Sequence, residues 1–357
     1  MTCASTPSGR CRRLGPAAAT LIVAALIAWG LAASRRQRHA LQAVRFPPQI
    51  VMSTTVEITA STDRPDLAFQ AMERALARMR EVERLMNVHS PDSELSRVNR
   101  SAAAEPVPVS PLTAEVLRRA LGFAETTSGA FDVTVYPLVQ LWRSCAKAGR
   151  LPDEAEMREA RDRVGWRRVN LDGLRVGLTR PGVQIDLGGI AKGFAVDLAC
   201  RELRSRGFSD ALVNAGGDLY AGGRRPDGRP WVIGIQDPRA DKDAPESFVL
   251  RIALSDRAVA TSGNYRRYTA IQGRRISHIL DPRTGGPADA VPSVTIVAAD
   301  CTTADALATG VSVLGLREGM KLVESLEGVE AMLITVEQDR LVFHRSSGFG
   351  AFEPPGD

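Results

Sequence analysis

The chain has 357 residues, 44% hydrophobic and 24% charged, with a formal net charge of +5. This composition excludes collagen-like, long disordered and polytopic membrane chains, and the length allows one large domain or two ordinary ones with a real core. Residues 1–40 hold six arginines (Arg10, Arg12, Arg13, Arg35, Arg36 and Arg38) and no acid, so the rest carries about −1 and no basic groove for nucleic acid is expected.

Residues 14–33 form an uncharged apolar run flanked by arginines. At 20 residues it can just span a bilayer, so it reads as a secretory signal or a retained anchor. Export is therefore expected, to a periplasmic location either free or tethered to the inner membrane by this run. No cysteine follows the run for lipid attachment. Of five cysteines, Cys145, Cys200 and Cys301 fall in the body without a CxxC pair, which favours buried free thiols over a disulfide framework or zinc site.

Residues 41–48 read as a linker, 49–346 as the catalytic body and 347–357 as a flexible tail. Alternation over 49–60 fits one strand, with Met52, Thr54, Val56 and Ile58 on one face. Thr62 and Asp63 offer a helix cap, and Met72, Leu76, Met79, Val82 and Met86 recur at helical spacing over about 65–87. Residues 90–99 read as turn-rich, while 110–127 and 153–164 read as helices. A hairpin over 167–186 turns at Asp172-Gly173, and a helix at 190–206 precedes a strand at 211–214. Further strands are expected at 230–236, 247–254, 275–280 and 292–299, helices at 303–314 and 317–326, and a last hairpin at 330–344. Without regular βαβ alternation, the fold class is α+β.

Four segments combine glycines with acids, amides or hydroxyls. Residues 186–193 (DLGGIAKG) lie where a strand gives way to a helix, so backbone N–H groups can approach a phosphate there, with Lys192 adding a point charge. A plain glycine-rich turn is the alternative. Residues 214–218 (NAGGD) are either a tight turn or a polar cluster. His278 stands beside Asp281, Arg283 and Thr284, a crowding that fits proton transfer or phosphate contact as well as a structural role, with Asp281 a candidate to orient the imidazole. Asp305 and Thr309 are four apart on one helix face, either half a site for a hard cation or a helix-start acid with an unrelated hydroxyl.

Taken in order, residues 52–54, 86–99, 128–132, 186–193, 214–218, 260–265, 277–285 and 304–309 resemble the FAD:protein FMN transferase family, also called ApbE. The resemblance implies a T-fold-like α+β architecture with mixed sheets, packed helices and a central flavin cleft. It implies Mg²⁺-dependent transfer of FMN from FAD, the substrate, onto a threonine hydroxyl of an acceptor protein, with release of AMP. The usual acceptors are membrane or periplasmic electron-transport subunits. By position, Met52, Ala130, Phe131, Asp132, Asp186, Lys192 and Ile279 would contact FAD. Gly189, through its carbonyl, would hold the metal with Asp305 and Thr309, and His278 would handle the proton. His89 stands where the family commonly has an aromatic that stacks on flavin or adenine. An FAD pyrophosphatase on the same scaffold and a non-catalytic periplasmic flavin-binding protein are the competing readings.

Overall fold

The segment read as a linker contains the first strand. In the computed structural model, which describes residues 40–240, 247–263 and 268–354, β1 (Gln42–Arg45) is followed by β2 (Gln49–Val51) and β3 (Thr54–Thr62). β3 pairs antiparallel with both. β1 buries only Val44, so it carried no alternating pattern to read. The single strand expected over 49–60 is interrupted at Met52 and Ser53, both at positive φ (54° and 58°). Two consecutive left-handed residues make the tight two-residue turn that matches strand twist, here without the usual glycine. The apolar run at 14–33 lies outside the described residues.

Helix α1 (Pro65–Met86) buries the methionine stripe expected of it. Its N-cap is Arg64, not Thr62 or Asp63; the Thr62 hydroxyl accepts the Arg64 N–H at 3.0 Å instead. The stretch read as turns holds helix α2 (Glu94–Ser101), capped by Ser93. A short strand β4 (Val107–Pro108) leads to α3 (Pro111–Thr126), capped by Ser110. Helix α4 (Tyr136–Lys147) had no counterpart in the sequence reading, and α5 (Glu154–Arg161) begins with a capping box from Asp153 and Glu156. β5 (Val169–Asp172) and β6 (Arg175–Leu178) form the expected hairpin, shorter than foreseen, and β4 extends it to three strands.

Helix α6 (Ala191–Ser205) leads to β7 (Ala211–Ala215) and β8 (Asp218–Ala221). β9 (Trp231–Gln236) and β10 (Phe248–Leu254) make a separate ribbon. β11 (Arg257–Gly263) returns to the main sheet, and β12 (Tyr268–Ile271) and β13 (Arg274–Ser277) form a second ribbon. β14 (Ser293–Ala298) precedes α7 (Cys301–Glu324), and β15 (Glu330–Glu337) and β16 (Arg340–Arg345) complete the sheet. The two helices expected over 303–326 are present within α7, separated by non-helical Gly315 at φ 78°. The tail is also less free than expected. Residues Phe349–Phe352 form a 3-10 turn, and Phe349 is fully buried.

The main sheet runs β1-β3-β7-β8-β11-β14-β15-β16, with β2 beside β3. The larger core joins residues of this sheet to α1, α6 and α7, while a smaller core joins residues of β8, β11, β14 and β15 to the β9–β10 ribbon. Antiparallel sheet and helices are mixed in one α+β unit from Gln42 onward. Among the described residues, no helix is long and apolar enough to cross a membrane. Cys145, Cys200 and Cys301 are free and buried, as expected.

Candidate active site

Two helices and two glycine turns converge on a cavity of about 1050 Å³. Its floor begins with residues 186–193. Asn99 grips the strand-like segment before it, donating to Ile185 O at 2.9 Å and accepting the Ile185 N–H at 2.7 Å. Asp186 then turns the chain by accepting the Gly188 N–H at 2.8 Å. A Cβ at Gly189 would sit 3.2 Å from the Phe131 ring and 3.3 Å from Thr309 Oγ1, so glycine lets the backbone lie close to Thr309.

Gly193 sets how near α6 and α7 come. A Cβ there would stand 2.2 Å from Cys301 O and 2.9 Å from Asp305 Cβ. The Gly193 N–H donates to Asp305 Oδ2 at 2.9 Å, across this contact. The start of α7 is further held by Asp197 on α6, which accepts the Cys301 and Thr302 N–H groups at 2.8 and 2.9 Å. Asp300 caps the same end by accepting the Thr303 N–H, and Arg119 on α3 holds Asp300 at 2.6 Å. Burial pushes the Asp197 carboxyl up to about 6, against the hydrogen bonds from Thr302 and Cys301.

Asp305 and Thr309 therefore share one face of α7, as their spacing predicts, and both line the cavity with Gly189. Lys192 Nζ lies 3.3 Å from Asp305 Oδ1 and makes a closer contact with Asp218. Burial alone would push the Lys192 pKa down, but the two carboxylates outweigh it and hold the ammonium charged. Asp218 reaches this point because β7 and β8 turn at Gly216 and Gly217, both at positive φ. A Cβ at Gly216 would lie 2.0 Å from Thr54 Oγ1, and Asn214 Oδ1 accepts the Gly217 N–H. The NAGGD segment is thus both a tight turn and the carrier of a site carboxylate.

Ala130, Phe131 and Asp132 form another wall. Asp132 accepts from the Thr134 N–H and hydroxyl at 2.8 and 2.6 Å and from the Trp166 N–H at 2.8 Å, so its oxygens brace the wall. Burial raises its pKa despite those bonds. His278 is exposed and lines the cavity, next to buried Ile279, whose N–H donates to Ser277 Oγ.

Three expected positions are not among the cavity-lining residues. Both oxygens of Asp281 accept from Arg283, at 2.9 Å each. Burial opposes the Asp281 charge, but the Arg283 bonds prevail and lower its pKa. Met52 stands on the hairpin turn, packs against the main core and is not among the cavity-lining residues. His89 likewise does not line the cavity; its Nε2 lies 3.3 Å from Arg143 Nη1, and Arg143 is the residue that reaches the lining. Of the 260–265 segment, Thr261, Ser262 and Gly263 line the cavity, while Asn264 and Tyr265 lie outside the described residues.

Sequence reasoning missed Trp142 and Arg143, which line the cavity from α4, and the β9–β10 ribbon, which adds Val232, Ile233 and Phe248. The signal for α4 was present as Leu138, Leu141, Trp142 and Cys145 at steps of three and four.

The ApbE family model matches residues 52–333. The chain belongs to the ApbE family. A curated relative from Vibrio cholerae, named FAD:protein FMN transferase, is 37% identical over 277 residues, covering 77% of this chain and 82% of its own length. The solved structure of the flavin transferase ApbE from Vibrio cholerae superposes with a TM-score of 0.76 at 33% identity, covering 87% of this chain and 99% of that one. That of the ApbE protein from Thermotoga maritima gives 0.77 at 35% identity, covering 88% and 100%. Both share the α+β fold described above, and this member of the ApbE family is a transferase enzyme.

Proposed function

We propose that this chain transfers FMN from FAD onto a threonine hydroxyl of an acceptor protein and releases AMP, with Mg²⁺ held by Asp305, Thr309 and the Gly189 carbonyl. The observation that carries this reading is the convergence of Lys192, Asp305, Thr309 and Gly189 on one cavity. The donors suit the ion: a carboxylate, a hydroxyl one helical turn on, and a glycine whose missing Cβ leaves the backbone close to that hydroxyl. Among the described residues there is no group of three His, Cys, Asp or Glu side chains that could hold a metal. A mixed oxygen set is therefore the arrangement this cavity offers a hard cation. When bound, Mg²⁺ would neutralise charge on the diphosphate.

The remaining chemistry belongs to the chain. Lys192 and the amides at the start of α6 offset diphosphate charge, the main need in phosphoryl transfer. The threonine oxygen attacks the FMN phosphorus, the phosphorus–oxygen bond to AMP breaks, and AMP leaves with the electron pair. His278 accepts the threonine proton, a task an imidazole can perform as general base. Apolar walls at Phe131, Ile279 and the β9–β10 ribbon shield the ring system from water.

The test combines purified chain, FAD, Mg²⁺ and a threonine-bearing acceptor. Fluorescent acceptor surviving a denaturing gel, with AMP released in equal amount, is expected. Free FMN and AMP without labelled acceptor would assign a pyrophosphatase, and unchanged FAD would leave only binding. We also infer that residues 14–33 direct export, and that the acceptor is a periplasmic or membrane electron-transport subunit. Fractionation of cells expressing the full chain and a chain lacking residues 1–40 checks the first; recovery in the cytoplasm of both would refute it.

A further inference from the structure

Lys192 occupies the place from which it competes with the proposed cation, and its role there rests on that cation reading. Asp305 and Asp218 are 3% and 4% exposed, so neither carboxylate has bulk water to stabilise its charge. Asp305 Oδ2 accepts the Gly193 N–H at 2.9 Å, and the ammonium faces both oxygens, Oδ1 at 3.3 Å and Oδ2 at 3.4 Å. The contact to Asp218 is the closer of the two. One ammonium thus serves two buried carboxylates and already leans toward the one that is not an expected metal ligand.

We propose that Lys192 is an exchangeable counter-ion for Asp305. It neutralises Asp305 when no divalent cation is bound and withdraws to Asp218 when a cation takes Oδ1. A cation held by Asp305 with the ammonium still beside it would face like-charge repulsion across a few ångströms of poorly solvated space. Asp218 relieves this by giving the ammonium a second seat. A diphosphate at the start of α6 draws the ammonium further from Asp305, so nucleotide and cation each raise the other's affinity.

The test is Mn²⁺ binding to the full chain, by calorimetry and by the electron paramagnetic resonance of free Mn²⁺, without nucleotide and with FAD. Lys192→Met should bind Mn²⁺ without nucleotide about tenfold or more tightly than the unsubstituted chain, as expected when a like charge beside a cation site is removed. Asp218→Asn should bind it more weakly, because the ammonium then has only Asp305. In the double variant the Asp218→Asn effect should vanish. Persistence of that loss would mean Asp218 ligates the cation itself and would overturn the seat assigned to it. Lys192→Gln, which keeps donors for both carboxylates, should shift affinity in the same direction as Lys192→Met and serves if the latter is unstable. Mn²⁺ binding with no gain in either Lys192 variant overturns the counter-ion role alone. No Mn²⁺ binding in any variant, with or without FAD, overturns the cation reading together with it.

Discussion

Gly193→Ala is the sharpest single test of how the site is held. The added Cβ would lie 2.2 Å from Cys301 O, a backbone atom that cannot rotate away. Relief to an ordinary carbon–oxygen contact requires α6 and α7 to part by about 1 Å. The same shift would stretch the 2.9 Å bond from Gly193 N–H to Asp305 Oδ2 beyond hydrogen-bonding range. Overpacking of this kind costs about 1–3 kcal/mol, and a lost bond to a charged group about 1.5–3, with the two overlapping. A net loss of about 2–4 kcal/mol corresponds, for a unit of this size, to a Tm lowered by roughly 3–6 °C. Asp305 would also leave its position relative to Gly189 and Thr309, so flavin transfer should fall far more than stability does. Circular dichroism melting and the acceptor-labelling assay, run on the same preparation, measure both. A Tm within about 1 °C of the unsubstituted chain, with unchanged turnover, would refute the close helix approach and the positioning of Asp305 that depends on it.

Other outcomes depend on single contacts. Asp305→Ala should remove divalent-cation dependence together with activity while the far-ultraviolet spectrum stays native; normal turnover would exclude Asp305 as a ligand. His278→Ala should slow transfer more than it weakens FAD binding measured by flavin fluorescence, whereas equal losses would make His278 a binding residue only. Phe349→Ala should cost about 3–5 kcal/mol in urea unfolding, the price of emptying a core aromatic site; a loss below about 1 kcal/mol would return the tail to the frayed state expected from its sequence. Because burial raises the Asp132 pKa, the folded state holds that proton longer than the unfolded one. Its contribution to stability therefore declines as pH rises from the ordinary carboxylate range through the raised value. Asp132→Asn should flatten that part of the stability–pH curve, and an unaltered slope would remove Asp132 as its source.

Local pattern made much of this molecule legible. The methionine stripe of α1, the helices α3 and α5, and the Asp172-Gly173 turn depend on neighbours a few residues away, and all are present as side-chain spacing or turn chemistry. The pairing of Asp305 with Thr309 is legible for the same reason, since one helical turn brings them together whatever surrounds the helix. β1 was not legible, because a strand burying only Val44 is defined by its partner β3 and not by its own residues. Phe349 lies in a glycine-rich tail, and only the smaller core to which it belongs makes it structural.

The site divides along the same line. Sequence by itself determined which residue types were available: a glycine-rich helix start with one lysine, an acid and hydroxyl on one helix face, and a histidine among polar neighbours. Tertiary structure alone decided which of them meet. It brought Lys192 between Asp218 and Asp305, gave Asp281 to Arg283, set His89 behind Arg143, and kept Met52 on a turn against the core. The physical reason is range. Helical spacing and capping act over a few residues, whereas charge pairing and close backbone approach act through space between segments that only packing makes neighbours, as the single missing Cβ at Gly193 does for α6 and α7.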